Sequence, residues 1–255
     1  MFCAGLKAAA TAAQRGFDVT LWEKNDHFGG ALAAAAAMSF KQDVKDQLNY
    51  LIHQVKKWGV HVEMSKTAVI DDIIAFAPDL VIDAIGANPV IIPIEGYKQD
   101  HVMTAVPALL KEKQVGDKVV IIGGGEVGCE MGVEFASQGK QVTIVEIAED
   151  ILMAPSFVAN KQNIRYLVDH SGVKVYTATA TKRIRKDDVL LEKDGQSIII
   201  AADTVIFSTG FRSDHILYEQ MIANGIEVVE VGDARKPGKV IDAIHQAYHC
   251  VRVYE

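Results

Sequence analysis

A chain of 255 residues can bury one large core or two small ones, and 49% hydrophobic with 23% charged residues is ordinary for a globular protein. A net charge of −7 without a basic stripe argues against a nucleic-acid partner. Three cysteines without close spacing exclude a cysteine-clustered metal site and favour a reducing, cytoplasmic setting, and no apolar run reaches the roughly 20 residues of a membrane span.

The first predicted elements form an α/β unit. Small residues predict a helix over 4–15, and Gly16 follows it where a left-handed residue is needed. The apolar run 19–22 predicts a buried parallel strand, and apolar residues spaced three or four apart predict a helix over 40–58.

The connection to a second unit begins after another buried strand, which is predicted over 80–84 and ends at Gly86. Asn88-Pro89 is expected to break regular structure, and Glu95-Gly96 is expected to mark a crossover.

The second unit is predicted to repeat the order strand, glycine turn, helix, strand and helix before an antiparallel meander that turns at Asp194-Gly195. A buried strand ending at Gly210 and a final helix follow the meander. The predicted ranges are 119–122, a helix to 138, 141–145, 158–170, then 182–185, 189–193 and 197–200, then 204–208 and 238–251.

A complete dinucleotide fingerprint lies in the second unit. Gly123 permits a tight turn, Gly125 lets a pyrophosphate approach the backbone, and Gly128 lets the helix pack on the sheet. The phosphates are expected at the positive end of the helix that begins near Glu126. Glu146 ends the next strand 18 residues beyond Gly128, where a carboxylate accepts ribose hydroxyls. The alternative is a glycine-rich turn in an unrelated α/β fold.

The first unit is a second copy of this motif at a constant offset of 123 residues. The matched pairs are Gly5 with Gly128, Gly16 with Gly139 and Glu23 with Glu146 (128 − 5, 139 − 16 and 146 − 23). By this offset Phe2 stands where Gly125 stands, and the leading strand and first glycine fall before Met1. Either Met1 is not the natural start, which we expect, or this copy has lost its nucleotide.

The choice of nicotinamide nucleotide depends on Glu146. A 2′-phosphate would meet a like charge there and would need a cation, yet no arginine or lysine occurs between Lys140 and Lys161. NADH is therefore expected in preference to NADPH.

Three further motifs carry a family resemblance: Asp83-Ala-Ile-Gly86, Ser208-Thr-Gly210-Phe-Arg, and residues 232–245, which read Gly-Asp-Ala-Arg-Lys-Pro-Gly-Lys-Val-Ile-Asp-Ala-Ile-His. With the two fingerprints, they resemble the FAD/NAD(P)H half of NADH:flavin oxidoreductases of the 2,4-dienoyl-CoA reductase and 2-enoate reductase type, which are related to Old Yellow Enzyme. The resemblance covers essentially the whole chain, and it departs from the family at Phe2, at Ile85 and in the absent first strand.

The resemblance implies an α/β fold of two Rossmann-like domains of the glutathione reductase type. The NAD domain, residues 97–216, is inserted into an FAD domain, residues 1–96 plus 217–255, whose first strand is missing. It also implies FAD and NADH as cofactors, with FMN and an iron–sulfur cluster in a barrel domain or subunit outside this chain. No membrane partner is expected, and a homo-oligomer stays compatible with the sequence.

Site residues carried over from the family fall into two sets. For FAD, Gly5 and Glu23 would hold the ADP part, Gly29-Gly30 would lie along the cofactor, Asp233 would bind the ribityl chain, and a helix beginning at Gly238, Lys239 and Val240 would point at the flavin. Glu130 would lie near the nicotinamide. The remaining cofactor-binding residues are Lys24, Gly86, Gly123, Gly125, Glu126, Val127, Gly128, Glu146 and Gly210.

These features predict an NAD(P)H-dependent flavin oxidoreductase module that takes hydride from NADH and passes electrons to a separate FMN/iron–sulfur domain acting on an enoate or enoyl-CoA-like substrate. The alternative is a non-catalytic nucleotide-binding or interaction module in which only the NAD copy is competent. A disulfide reductase is disfavoured because no paired cysteine motif exists, and Cys3 and Cys129 are expected to be packing residues. His245 and His249 share one helix without further ligands, so packing is expected there and no metal.

Overall fold

The computed structural model describes residues 3–254, which divide into two compact α/β units. Unit 1 comprises residues 3–88 and 211–254, and unit 2, residues 89–210, is inserted between them. These boundaries lie eight and six residues before those expected from the sequence (96 − 88 and 216 − 210). The predicted α/β class is confirmed, and no helix in residues 3–254 is long and apolar enough to cross a membrane.

Unit 1 is built on α1, a helix of small residues that packs against α3 and α9. Leu6, Leu51 and Val55 are almost completely buried in its core, and each such side chain contributes about 1.5–3 kcal/mol of burial free energy. The elements of unit 1 are α1 (Cys3–Gln14), β1 (Thr20–Glu23), α2 (Ala31–Ala36), α3 (Gln42–Lys57), β2 (His61–Met64), α4 (Ile70–Phe76), β3 (Val81–Asp83), β4 (Ala87–Pro89), β13 (Phe211–Ser213), α8 (Ile216–Ala223), β14 (Val228–Glu230), a 3₁₀ turn (Gly232–Ala234) and α9 (Val240–Val253).

Unit 2 carries a five-stranded parallel sheet in the order β5-β12-β6-β7-β8 and an antiparallel meander in the order β11-β10-β9. The meander turns at Asp194-Gly195, as predicted, where both residues have positive φ. The elements are β5 (Val102–Thr104), α5 (Ala105–Leu109), β6 (Lys118–Ile122), α6 (Glu126–Ser137), β7 (Gln141–Val145), α7 (Val158–His170), β8 (Lys174–Tyr176), β9 (Ala180–Ile184), β10 (Asp188–Lys193), β11 (Gln196–Ala201) and β12 (Thr204–Phe207).

The two units differ in whether their parallel strands form one continuous hydrogen-bonded sheet. In unit 2, β6 pairs with β7 on one side and with β12 on the other. In unit 1, among residues 3–254, the parallel pair β1–β2 and the parallel pair β3–β14 are separate two-stranded sheets. Among the described residues no hydrogen-bonded strand joins these two pairs, and this separation is called below the interruption between β1 and β3.

The chain crosses between the units through two short paired strands. Asn88-Pro89 was expected to break regular structure, which is wrong, because these residues belong to β4 and β4 pairs with β13. Proline is tolerated because a strand with a single neighbour has one edge that needs no donor. The ends of unit 2 are also joined, since Val90 N donates to Gly210 O at 2.9 Å and Thr209 Oγ1 donates to Val90 O at 2.5 Å.

Candidate nucleotide-binding sites

The fingerprint turn of unit 2 leaves β6 through Gly123. This residue has φ +112°, and a Cβ there would lie 2.3 Å from the carbonyl oxygen of Ser208. Its N–H donates to Val145 O at 2.8 Å, which continues the ladder between β6 and β7. Only glycine satisfies both the left-handed conformation and the close contact with Ser208.

The other two fingerprint glycines have opposite surroundings. A Cβ on Gly128 would lie 2.1 Å from the carbonyl oxygen of Gly123, so a side chain would push α6 off the turn. A Cβ on Gly125 would meet nothing within 4 Å. Gly125 therefore has open space before it, and α6 begins at Glu126 with no side chain capping its first N–H groups. Such a helix start attracts an anion.

Glu146 follows β7 and is held by backbone donors. Oε2 accepts a hydrogen bond from Gly124 N at 2.6 Å, and Oε1 accepts one from Ala148 N at 2.8 Å. Each carboxylate oxygen has a second lone pair for a ligand hydroxyl. Gly124, which no sequence motif marked, also has no room for a side chain, since a Cβ there would lie 2.7 Å from Ile151 Cγ2 and 3.1 Å from Glu146 Cβ.

The remaining predicted residues of unit 2 lie on or beside these elements. Glu130 is buried in α6 at 8% exposure, whereas Val127, one turn earlier, is 40% exposed. Gly210 ends the connection after β12 with φ +95°.

In unit 1, Glu23 shares one hydrogen bond of the Glu146 arrangement. It is 1% exposed, and its Oε1 accepts a hydrogen bond from Asn25 N at 2.9 Å, again two residues further on. Gly5 is buried in α1, and Lys24 is exposed beside Glu23. Phe2, predicted to stand in place of the second glycine, lies outside the described residues.

Gly29 and Gly30 lead into α2. Gly29 has φ +112°, and a Cβ there would lie 2.9 Å from both Ala33 Cβ and Leu48 Cδ2. Gly30 is the N-cap residue of α2, with φ +50°. Gly86 has φ +87° in the turn after β3. Packing and backbone conformation therefore account for glycine at 29, beside the predicted cofactor role.

Asp233 and the start of α9 form one hydrogen-bonded structure. Asp233 Oδ1 accepts from Gly238 N at 3.1 Å, and Asp242 Oδ2 accepts from Lys239 N at 3.0 Å. The helix begins at Val240, two residues after the start predicted at Gly238. Burial raises the pKa of the Asp233 carboxyl above its ordinary value.

The cysteines and the histidine pair are not among the residues predicted to bind a cofactor. Cys3 and Cys129 are buried, and burial raises the pKa of Cys3 to about 11 and that of Cys129 to about 12, so both are packing thiols as predicted. His245 and His249 have ring centroids 6.2 Å apart, and residues 3–254 contain no His/Cys/Asp/Glu group arranged to hold a metal ion.

Known proteins are similar to this chain in sequence and in fold. A family model described as pyridine nucleotide-disulphide oxidoreductase matches residues 3–234. The chain belongs to the pyridine nucleotide-disulphide oxidoreductase family. Members similar to it include a cinnamate reductase of Clostridium sporogenes, 34% identical over 251 residues, and an NADH oxidase of Thermoanaerobacter brockii, 33% identical over 251 residues.

These matches cover 98% and 96% of this chain but 37% and 38% of the two relatives. A solved structure of a 2-naphthoyl-CoA reductase in complex with 2-naphthoyl-CoA is 30% identical, with a TM-score of 0.93, and the match covers 100% of this chain and 39% of that one. The chain thus spans about two fifths of the length of these family members. The predicted family resemblance is confirmed, and the chain is a pyridine nucleotide oxidoreductase module with an FAD/NAD(P)-binding fold, related to enoyl-CoA-type reductases and NADH oxidases.

Proposed function

We propose that unit 2 binds NADH. The observation that carries this proposal is the combination of open space at Gly125, an uncapped start of α6 at Glu126, and a carboxylate at Glu146. The α6 N–H groups would receive the pyrophosphate, and Glu146 would accept the adenosine ribose hydroxyls. Its negative charge disfavours the 2′-phosphate of NADPH. Glu130 is the residue proposed to lie near the nicotinamide.

Unit 1 is the proposed FAD-binding unit, and its described residues fit that cofactor. Glu23 shares with Glu146 the hydrogen bond from the backbone N–H two residues further on, and Asp233 and the start of α9 offer polar groups for the ribityl chain and the flavin ring. When bound, FAD supplies a two-electron acceptor for hydride and a one-electron donor. The positive end of α9 would stabilise negative charge on its ring.

Electrons are proposed to leave the chain for an FMN/iron–sulfur domain of a longer protein that reduces an enoate or enoyl-CoA-like substrate. Two observations support this. The sequence has no paired cysteine motif, and the raised pKa of Cys3 and Cys129 keeps these thiols protonated. The similar reductases are also more than twice as long as this chain.

The test is to purify the chain, add FAD, remove free flavin by gel filtration, and measure flavin absorbance and NADH-dependent dye reduction. Glu23→Gln is the matched variant for FAD and Glu146→Gln for NADH. Bound flavin with dye reduction supports the module. If neither appears with added FAD, this chain is not a redox enzyme on its own.

A second candidate, a nucleotide-binding module without redox turnover, is favoured by the interruption between β1 and β3, because unit 2 alone has a continuous sheet. It predicts calorimetric binding of NADH without retained flavin, so the calorimetric and spectroscopic results together separate the two candidates.

A further inference from the structure

The loop of residues 147–152, between β7 and α7, folds back onto the fingerprint turn. Leu152 N donates to Gly124 O at 2.8 Å, and Ile151 fills the space beside the Gly124 Cα. Ile151 and Leu152 are only 3% and 4% exposed. The loop and the turn therefore form one packed structure.

Both backbone polar groups of Gly124 are engaged by residues 146–152. Its N–H donates to Glu146 Oε2, and its carbonyl accepts from Leu152 N. The orientation of the Gly124 peptide determines where the following Gly125 lies. A shift in the loop would thus move the surface proposed to receive the pyrophosphate, together with the carboxylate proposed to receive the ribose.

The loop does not keep this conformation by local preference. Leu152 has φ +61°, a left-handed value that costs a branched side chain about 1 kcal/mol or more. External contacts must therefore hold the loop: Ala178 N donates to Ala148 O at 2.7 Å, and Arg165 on α7 supplies the side-chain contact.

Arg165 binds the loop through three hydrogen bonds. Nη1 and Nη2 donate to the two carboxylate oxygens of Asp150 at 3.1 and 2.8 Å, and Nη2 also donates to Ile151 O at 3.2 Å. Asp150 Oδ1 accepts a further bond from Ile151 N at 2.8 Å. This planar, bidentate contact is specific to arginine, since a lysine ammonium cannot donate to both carboxylate oxygens in the same plane.

We propose that Arg165 is a positioning residue for the nucleotide site of unit 2: it holds residues 147–152 in the conformation that orients Gly124 and Glu146. The proposal rests on the proposed function of unit 2, and Arg165 itself does not contact the nucleotide. The Arg165–Asp150 pair is partly exposed, at 41% and 50%, so it adds little to global stability and its removal should leave the fold intact.

The test compares Arg165→Met, Arg165→Lys and Asp150→Asn with the wild type. The matched control is Arg183→Met, which removes another partly exposed arginine of unit 2 from its 2.7 Å contact with Glu95. Hydrogen exchange of the Ala148 and Leu152 amides is measured without nucleotide, and NADH affinity is measured by calorimetry.

Arg165→Met should speed exchange at both amides and weaken NADH binding roughly tenfold, because hydrogen bonds to a charged group that order the loop are lost. Arg165→Lys should fall between Arg165→Met and the wild type. A double variant that combines Arg165→Met with Asp150→Asn should bind NADH no more weakly than either single variant, since both substitutions remove the same interaction. Arg183→Met should match the wild type.

Unchanged hydrogen exchange at Ala148 and Leu152 in both Arg165→Met and Asp150→Asn would overturn the inference. An NADH affinity of Arg165→Met within about twofold of the wild type would overturn it as well. If the wild type itself does not bind NADH, the proposed function of unit 2 fails, while the exchange measurement still decides whether Arg165 holds the loop.

Discussion

The carboxylates of Glu23 and Glu146, 123 residues apart, each accept a hydrogen bond from the backbone N–H two residues further on. The partners are Asn25 at 2.9 Å and Ala148 at 2.8 Å. In both cases the carboxylate is oriented by the backbone of the loop that follows its strand. The duplication in the sequence is thus also a duplication of hydrogen bonding.

Glu146→Gln should weaken NADH binding about tenfold, because the neutral amide accepts ribose hydroxyls less strongly than a carboxylate does. Affinity for NADPH should fall less, since the repulsion of the 2′-phosphate is removed. Titration with NADH and with NADPH gives the ratio of the two dissociation constants. Glu149→Gln, an exposed neighbour, is the control and should leave the ratio unchanged. An unaltered ratio in Glu146→Gln would contradict the role given to this carboxylate.

Gly128→Ala and Gly125→Ala should separate packing from binding. The alanine methyl group at 128 meets the Gly123 carbonyl oxygen, so we expect a loss of about 2 kcal/mol or more in the free energy of unfolding. The methyl group at 125 meets no protein atom within 4 Å, so stability should hold while NADH affinity drops. Denaturant unfolding and calorimetry measure the two effects. Equal stability losses in the two variants would show this steric distinction to be wrong.

A strand placed between β1 and β3 should stabilise unit 1. The variant carries a copy of residues 118–125 fused directly before Cys3 in place of Met1 and Phe2, as the 123-residue offset prescribes. Four apolar side chains and two newly paired strand edges should raise the unfolding temperature by roughly 5 °C or more and increase retained FAD. The control extension replaces its valines and isoleucines with serine. Identical melting curves for the two extensions would count against the interruption as a structural defect.

Asp83→Asn should stabilise the protein near neutral pH. Asp83 is 3% exposed, its Oδ2 is buried without a hydrogen-bond partner, and it faces Glu230 across β3 and β14. Burial, with Glu230 as a further cause, raises the pKa of this carboxyl. Because the folded-state pKa is raised, the stability that the protonated carboxyl contributes is fully present below the unfolded-state pKa. That stability is lost as pH rises through the folded-state pKa.

The gain in the free energy of unfolding from Asp83→Asn should therefore be about 1 kcal/mol or more at pH 7, and it should shrink toward pH 4. Denaturant unfolding across this range measures it, with the exposed Asp79→Asn as the control for charge. A gain that grows as pH falls would have the wrong sign for a carboxyl with a raised pKa.

Much of unit 2 was predictable because its signals are local. The strand before Gly123, the start of α6 at Glu126 and the turn at Asp194-Gly195 all depend on glycine or on short apolar runs, and the structure confirms them. In unit 1, the helix after Phe2 and the strand before Glu23 were predictable for the same reason.

Elements that depend on distant partners were missed. The strand β2 has mixed polarity and exists through its pairing with β1, and β4 exists through β13. The helix α8 is apolar without a clear stripe, so no period reveals it. The contact between Asp150 and Arg165 spans 15 residues and two elements, and no local pattern encodes it. The cofactor roles of Glu130 and Asp233 stay predictions.

The hydrogen bond between Val90 and Gly210 brings the entry and exit of unit 2 to a single point. The rest of the chain therefore needs only a short splice to close over the deletion of residues 89–210, because the two cut ends already lie side by side. Unit 2 is in this respect an exchangeable cassette. A homologous unit grafted at these two positions would leave the flanking residues 88 and 211 in place, so either unit is open to replacement without the other.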